Sequence, residues 1–270
     1  MNIIGVIPAR YESTRFPGKP LADICGKPMI WWVYNQVKKV KELSEVYVAT
    51  DDERIKVECE KYDIKVVMTK NTHKTHLDRL AEFIQIVNAD FYININGDEP
   101  LIDPINIEKL IPNKEIDPND FYFANAMTII TKPVELVDNT RIKIVTDVDG
   151  YGLYMARTPI PYPKGTSNFN YKKFVGIQCF SKSALKFCGI TERGEIENIE
   201  DIDEYRFLEH GKKIQFLQVT ADSFSIDTQK DIDKVRELLK APDSKPLRGV
   251  KPTNTAYFRL INTKTWSQAA

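Results

Sequence analysis

Apolar positions along the chain fall into two rhythms that take turns. Short β-branched runs, "NIIGVIP" (2–8), "EVYVAT" (45–50), "IKVVM" (64–68) and "FYININ" (91–96), have the length and composition of buried strands, while 28–41, 52–62 and 77–87 place apolar residues at helical spacing. Strand and helix alternating at this interval build βαβ units around a parallel sheet. Such sheets bind ligands beyond the carboxyl ends of their strands. Three segments therefore share one rim: the loop after the first strand, "TDD" (50–52) and "NGDEP" (96–100).

Past residue 115 the rhythm changes. "FYFANAMTII" (121–130) reads as another strand, and 141–158 as a hairpin turning at Asp149-Gly150, a pair suited to tight turns between alternating runs. "FVGIQCF" (174–180), a helical 195–211, "KIQFLQV" (213–219) and a helical 228–240 then restore the alternation. The expected fold is α/β: a Rossmann-like, mostly parallel sheet flanked by helices, one domain over 1–240 with an inserted β-rich subregion at about 135–180 that carries a second ligand surface. Residues 241–270, rich in Pro and polar side chains, read as a tail with little core of its own. Trp31 and Trp32 occupy helix-spaced apolar positions and read as core or dimer-contact surface rather than a cofactor shelf.

With 42% hydrophobic residues over 270 positions, the chain can bury a full core. Lys plus Arg, 38, balance Asp plus Glu, 38, so no global field draws it to nucleic acid or an anionic membrane, and any anion site is local. Four scattered cysteines without a CxxC pair, no apolar stretch of membrane-spanning length and no signal-peptide pattern lead to the expectation of a soluble cytoplasmic protein.

The opening loop, "ARYESTRFPGK" (9–19), gathers Arg10, Arg15 and Lys19 with Ser13 and Gly18. It matches neither GxGxxG nor GxxxxGK[ST], yet guanidinium forks, an ammonium and backbone N–H groups freed by a glycine are what phosphate binding needs. The competing reading is a solvated basic loop. Corroboration comes from "NINGDEP", where Asp98 ends a buried strand after Gly97, and from "FSIDT", where Asp227 follows an apolar run read as a strand. Two strand-end carboxylates brought together by a sheet can share a hard cation such as Mg2+; a lone strand-end Asp is otherwise a helix cap. Their combination with the cationic loop favours a metal-bound triphosphate.

"PARYESTRFPGKPL", "ICGKPMI", "VATDD", "MTKNTHKTHLDRLAE", "NGDEPLI", "GYGLYMARTPIP" and "IDTQKDIDKVR", in this order and spacing, resemble the 3-deoxy-D-manno-octulosonate cytidylyltransferase (CMP-Kdo synthetase) family of bacterial outer-membrane sugar metabolism, from residue 2 to about 239. The resemblance implies a nucleotide-diphospho-sugar transferase type of fold, a homodimer formed through the inserted region, and two substrates, CTP and a sugar-acid acceptor. The anomeric hydroxyl of an eight-carbon sugar acid would attack the α-phosphate and pyrophosphate would leave. By residue-to-residue matching, Arg10, Lys19 and Asp98 would be catalytic, and Ala9, Arg10, Ser13, Arg15, Lys19, Thr75, Arg79 and Gly97 would bind nucleotide. Asp98 and Asp227 would hold Mg2+, and Arg79, Arg157, Phe174, Gln178, Asp203 and Glu204 would line the acceptor.

The chain departs from that family's pattern mainly on the acceptor side. Thr75-His76-Leu77 replaces a Ser-Gly-Thr segment near the base; "FVGIQCF" puts Phe174 and Gln178 where the family has His and Tyr; "IDEYR" puts Asp203 and Glu204 where it has Glu and Gln. An extra carboxylate at Glu204 would repel an acidic acceptor unless the acceptor carries a compensating amine or lacks the acid; alternatively Glu204 points to solvent. His73 and His76 read as loop or base-stacking residues rather than metal ligands. A changed base or acceptor, or a non-catalytic nucleotide-binding protein on the same scaffold, are the competing functions.

Overall fold

The computed structural model describes residues 1–12, 16–113, 115–166, 168–220 and 225–240. The chain begins with β1 (Ile3–Ala9), a small hairpin of β2 (Asp23–Ile24) and β3 (Lys27–Pro28), and α1 (Met29–Val37). Next come β4 (Glu45–Thr50), α2 (Glu53–Glu60), β5 (Val66–Met68), α3 (His76–Ile86), β6 (Phe91–Ile95) and α4 (Pro104–Glu108). The second half runs through β7 (Phe123–Ile129), α5 (Pro133–Val137), β8 (Lys143–Thr146), β9 (Gly152–Ala156), β10 (Lys172–Ser181) and α6 (Lys182–Ile190). It closes with α7 (Glu195–Glu200), α8 (Tyr205–Leu208), β11 (Gln215–Gln218) and α9 (Gln229–Lys240).

The central sheet has the order β11-β7-β10-β6-β1-β4-β5, with β8 and β9 attached at the end of β10. β1 runs parallel to β4 and β6, β4 to β5, and β7 to β11; β10 alone in that path runs against its neighbours, β6 and β7. The expected mostly parallel α/β sheet is what forms. Strand alternation divides the core into two layers. Ile7, Ile93, Ile95 and Ile177 pack with Val33 on one face, while Tyr92, Phe123 and Phe180 pack with Leu80, Phe83 and Leu185 of α3 and α6 on the other. Each such side chain, fully buried, contributes about 1.5–3 kcal/mol.

Several expectations shift. The helix expected over 28–41 stops at Val37, and Lys38–Val40 turn with short backbone bonds. The helix expected over 195–211 is broken in two at Asp201, whose φ of 51° leaves the helical region. β10 is a buried central strand, so the β-rich excursion contracts to the 143–156 hairpin, with β8 paired to Lys172 and Lys173. No strand precedes Asp227 across 225–228; the segment is fixed instead by the Ile226 N–H donating to the Asp98 carbonyl at 2.9 Å. Trp31 and Trp32 pack at the margins of the apolar clusters, Trp32 donating its indole N–H to the Ile24 carbonyl at 2.8 Å. All four cysteines are free thiols, three of them buried. Among the described residues no helix is long and apolar enough to cross a membrane. The tail at 241–270 lies outside the described residues.

Candidate functional site

The rim forms where β1, β4, β5 and β6 end. Ala9 closes β1, paired in register with Thr50. The chain then loops out and returns at Gly18, whose N–H donates to the Tyr11 carbonyl at 2.7 Å and whose φ of 71° is the left-handed conformation glycine adopts without strain. Ser13 and Arg15 lie outside the described residues. Gly18 delivers Lys19 to the centre of the rim. The Lys19 ammonium donates to Asp98 Oδ2 at 2.8 Å and to the Ile226 carbonyl at 3.0 Å, and it lies 3.9 Å from Asp227 Oδ1. The two carboxylates expected to meet do so, around one lysine. Asp98 Oδ1 is buried with no hydrogen-bond partner. Gly97 brings this turn against β1: a Cβ there would come within 3.0 Å of the Pro8 carbonyl oxygen. Asp231, in the first turn of α9, reaches back to accept from the N–H groups of Asp227 and Thr228.

Arg10 stands at the mouth, its guanidinium donating to the Lys74 carbonyl at 3.3 Å. This contact ties the opening loop to the segment leading into α3. Tyr11 is covered by the Arg54 guanidinium, 3.3 Å from the ring centroid, and Arg54 is held by Asp52, the cap of α2. Side-chain bonding to Arg54 keeps the Asp52 carboxyl below its ordinary value.

Three residues expected at the ligands make contacts within the protein. Thr75 forms a capping box with Asp78 at the start of α3, its hydroxyl accepting from the Asp78 N–H at 3.1 Å and its own N–H donating to Asp78 Oδ2. Arg79 is only 1% exposed and is committed to Asp51 Oδ2, at 3.0 Å, and to the Thr69 hydroxyl. It ties α3 to the loops after β4 and β5. Arg157 donates to the backbone carbonyls of Glu200, Asn139 and Asp201, joining β9 to the end of α7. These bonds use three of the five guanidinium N–H groups and leave two.

One layer beneath the rim, on the α3 face, lies a buried polar cluster. Gln178 of β10 stands in register with Asn94 of β6 and Asn125 of β7, all fully buried. Its carbonyl oxygen accepts from Asn94 Nδ2 at 2.9 Å and pairs with His76 Nε2 at 3.0 Å, while its amide donates to Glu204. His76 Nδ1 faces Asp203 Oδ2 at 2.9 Å. Phe174 sits across a β-bulge from Gln178, half-buried beside the second core layer. Asp203 and Glu204, expected at the acceptor, lie in this cluster, and the solvent-facing alternative for Glu204 is overturned: it is 2% exposed.

The electrostatics follow from that burial. Burial pushes the Glu204 carboxyl up to about 7. Burial also disfavours charged His76, but its bond to Asp203 outweighs this and raises it, while the same bond holds Asp203 low against burial. Behind the cluster, Arg206 joins Asp78 at 2.5 Å to fully buried Glu197 at 2.7 Å. His73 pairs with Glu82, and among the described residues no group of three or more His, Cys, Asp and Glu could hold a metal. The residues missed in the sequence are Asn94 and Asn125. Their signal was a lone amide inside each apolar strand, "FYINI" and "FANAM", where Asn is disfavoured.

A parallel sheet with a cationic loop and paired carboxylates at its carboxyl rim defines a nucleotide-binding transferase. The chain belongs to the cytidylyltransferase family, whose model matches residues 4–214, in the CMP-Kdo synthetase branch that its motifs resemble, and it is a nucleotidyltransferase. It is 40% identical over 244 residues to the 8-amino-3,8-dideoxy-manno-octulosonate cytidylyltransferase of Shewanella sp. (strain W3-18-1), a match covering 89% of this chain and 100% of the relative. The protein of the same name from Shewanella baltica (strain OS155) is 39% identical, with 88% and 99% covered. A solved CMP:2-keto-3-deoxy-manno-octonic acid synthetase complexed with CTP superimposes with a TM-score of 0.82 at 37% identity, covering 88% and 98% of the two chains. A 4-diphosphocytidyl-2C-methyl-D-erythritol synthase from Anaerococcus prevotii, 16% identical with a TM-score of 0.59, covers 89% and 99% and shares the fold alone.

Proposed function

We propose that the chain transfers the cytidylyl group of CTP to the anomeric hydroxyl of a Kdo-like sugar acid, releasing pyrophosphate, and that this acid is the 8-amino-3,8-dideoxy form named for its Shewanella relatives. The observation that carries the transfer chemistry is the Lys19 ammonium set between Asp98 and Asp227 at the strand ends. Attack on phosphorus needs little covalent help from a protein; it needs alignment and neutralisation of charge. Lys19 and Arg10 supply cations to phosphate oxygens, and Gly97 lets the backbone turn lie close to the ligand.

Asp98 and Asp227 would hold Mg2+. Oxygen-only donors, part-exposed, with Asp98 Oδ1 buried and unpartnered, suit a hard cation that also takes phosphate oxygens and water. Bound there, the ion would neutralise the triphosphate and polarise its phosphorus. The acceptor would lie over the buried polar cluster, whose extra carboxylate suits an amine-bearing acid. Exposed Val148, Leu153 and Tyr154 on the 143–156 hairpin support a homodimer formed through that region.

Pyrophosphate release from CTP and Mg2+, with and without the amino acid sugar, tests the function. Release that requires the acid and disappears in Asp98→Ala is expected; release indifferent to the acid would refute it.

A further inference from the structure

The cluster beneath the rim has more hydrogen-bond acceptors than donors. Glu204 can only accept when ionised, so Gln178 turns its NH2 toward it. The Gln178 carbonyl is thereby left to Asn94 Nδ2 and His76 Nε2. This commits the Asn94 amide nitrogen inside the cluster and leaves its oxygen over. Asn94 Oδ1 and Asn125 Oδ1 are both buried without a partner, in residues fully removed from solvent. Two orphaned carbonyls are costly unless something donates to them.

Charge leads the same way. His76 is matched by Asp203, and Arg206 is committed to Asp78 and Glu197. Glu204 has no cation of its own among these neighbours, and an uncompensated buried carboxylate is expensive. The missing group must be cationic and rich in donors. A primary ammonium has three N–H donors and no acceptor; a hydroxyl in its place has one donor and adds lone pairs to a site already full of them.

We propose that Glu204, with the side-chain oxygen of Asn94, is the receptor for a terminal ammonium on the acceptor sugar, and that Glu204 is the residue that selects an amino sugar acid over its hydroxy counterpart. This rests on the cytidylyl-transfer function above.

The test is the ratio of kcat/KM for 8-amino-3,8-dideoxy-manno-octulosonate to that for 3-deoxy-manno-octulosonate, measured with CTP for the unaltered chain and for Glu204→Gln. The amide keeps the shape and removes the charge. The unaltered chain should prefer the amino acid sugar, and the ratio should fall at least tenfold in the variant, through KM for the amino substrate. A ratio that does not change, with both substrates falling together, would assign Glu204 a structural role and overturn the proposal. Should E204Q fail to fold, Asn94→Leu removes one orphaned acceptor without touching charge; a ratio reduced about threefold supports the proposal and an unchanged one overturns it. An unaltered chain that uses only the hydroxy acid refutes amine selection while leaving cytidylyl transfer standing; one that uses neither acid refutes both.

Discussion

At the rim, Asp98 and Asp227 keep about a quarter of their side chains in solvent and share one lysine, while a layer below, Glu204 is buried against Gln178, beside His76. Both regions hold more carboxylate than the fold requires. The rim groups, hydrated, keep their charge at little cost and remain ready for a ligand that brings phosphate. The inner groups are held out of water, so each unmet charge or acceptor raises the energy of the free protein. A ligand at the rim would therefore be held by charge count, and one at the inner cluster by complementarity of donors to acceptors.

Mutations separate the two regions. Asp98→Ala is expected to lower kcat by about 10³-fold or more, the scale of losing a charge clamp in phosphoryl transfer, while costing no more than about 1 kcal/mol of stability, because its lysine pair is part-exposed. Steady-state pyrophosphate release and urea denaturation read the two effects. Arg206→Met should do the opposite. Taking from buried Glu197 one of the two arginines that hold it, Arg193 at 3.0 Å being the other, costs about 1.5–3 kcal/mol, read as a lower urea midpoint with an unchanged slope.

A smaller effect sharpens the contrast. The folded protein raises Glu204 above its ordinary value to about 7, so its ionised form is disfavoured. That penalty is absent below the ordinary carboxylate range, grows as pH rises toward 7 and is complete above it. Glu204→Gln should therefore raise Tm at pH 8 and change it little at pH 4.5; a variant less stable at pH 8 would show Glu204 contributing to the fold rather than to binding. Smallest of all is a pH trend. KM for the amino acid sugar should fall as pH rises through about 7, with Glu204 ionising beside His76 and Asp203, while KM for the hydroxy acid should not follow it.

How far the sequence foretold this differs between the regions for a physical reason. "EVYVAT" is strand β4 residue for residue, because a short β-branched run has few alternatives. Asp98, Gly97 and Lys19 were legible because rim chemistry sits in short contiguous motifs at strand ends. Asp227 arrived at the right place for a different local reason: a backbone bond to the Asp98 carbonyl, not a strand, holds its segment there. The contacts of Arg79 and Arg157 were not legible because an arginine's partners, Asp51 and Thr69 in one case and the carbonyls of 139, 200 and 201 in the other, come from distant segments. Asn94 and Asn125 escaped notice because their meaning depends on β10 inserting Gln178 between them, a pairing no local pattern announces.

The most direct measurement offers the unaltered chain equal concentrations of 8-amino-3,8-dideoxy-manno-octulosonate and 3-deoxy-manno-octulosonate with limiting CTP and Mg2+, and weighs the two CMP-sugar products by mass spectrometry. Internal competition reads the ratio of kcat/KM without interference from enzyme concentration. The amino product is expected in at least tenfold excess at pH 8. Equal amounts, or an excess of the hydroxy product, would contradict the assignment of the buried carboxylate to an amine.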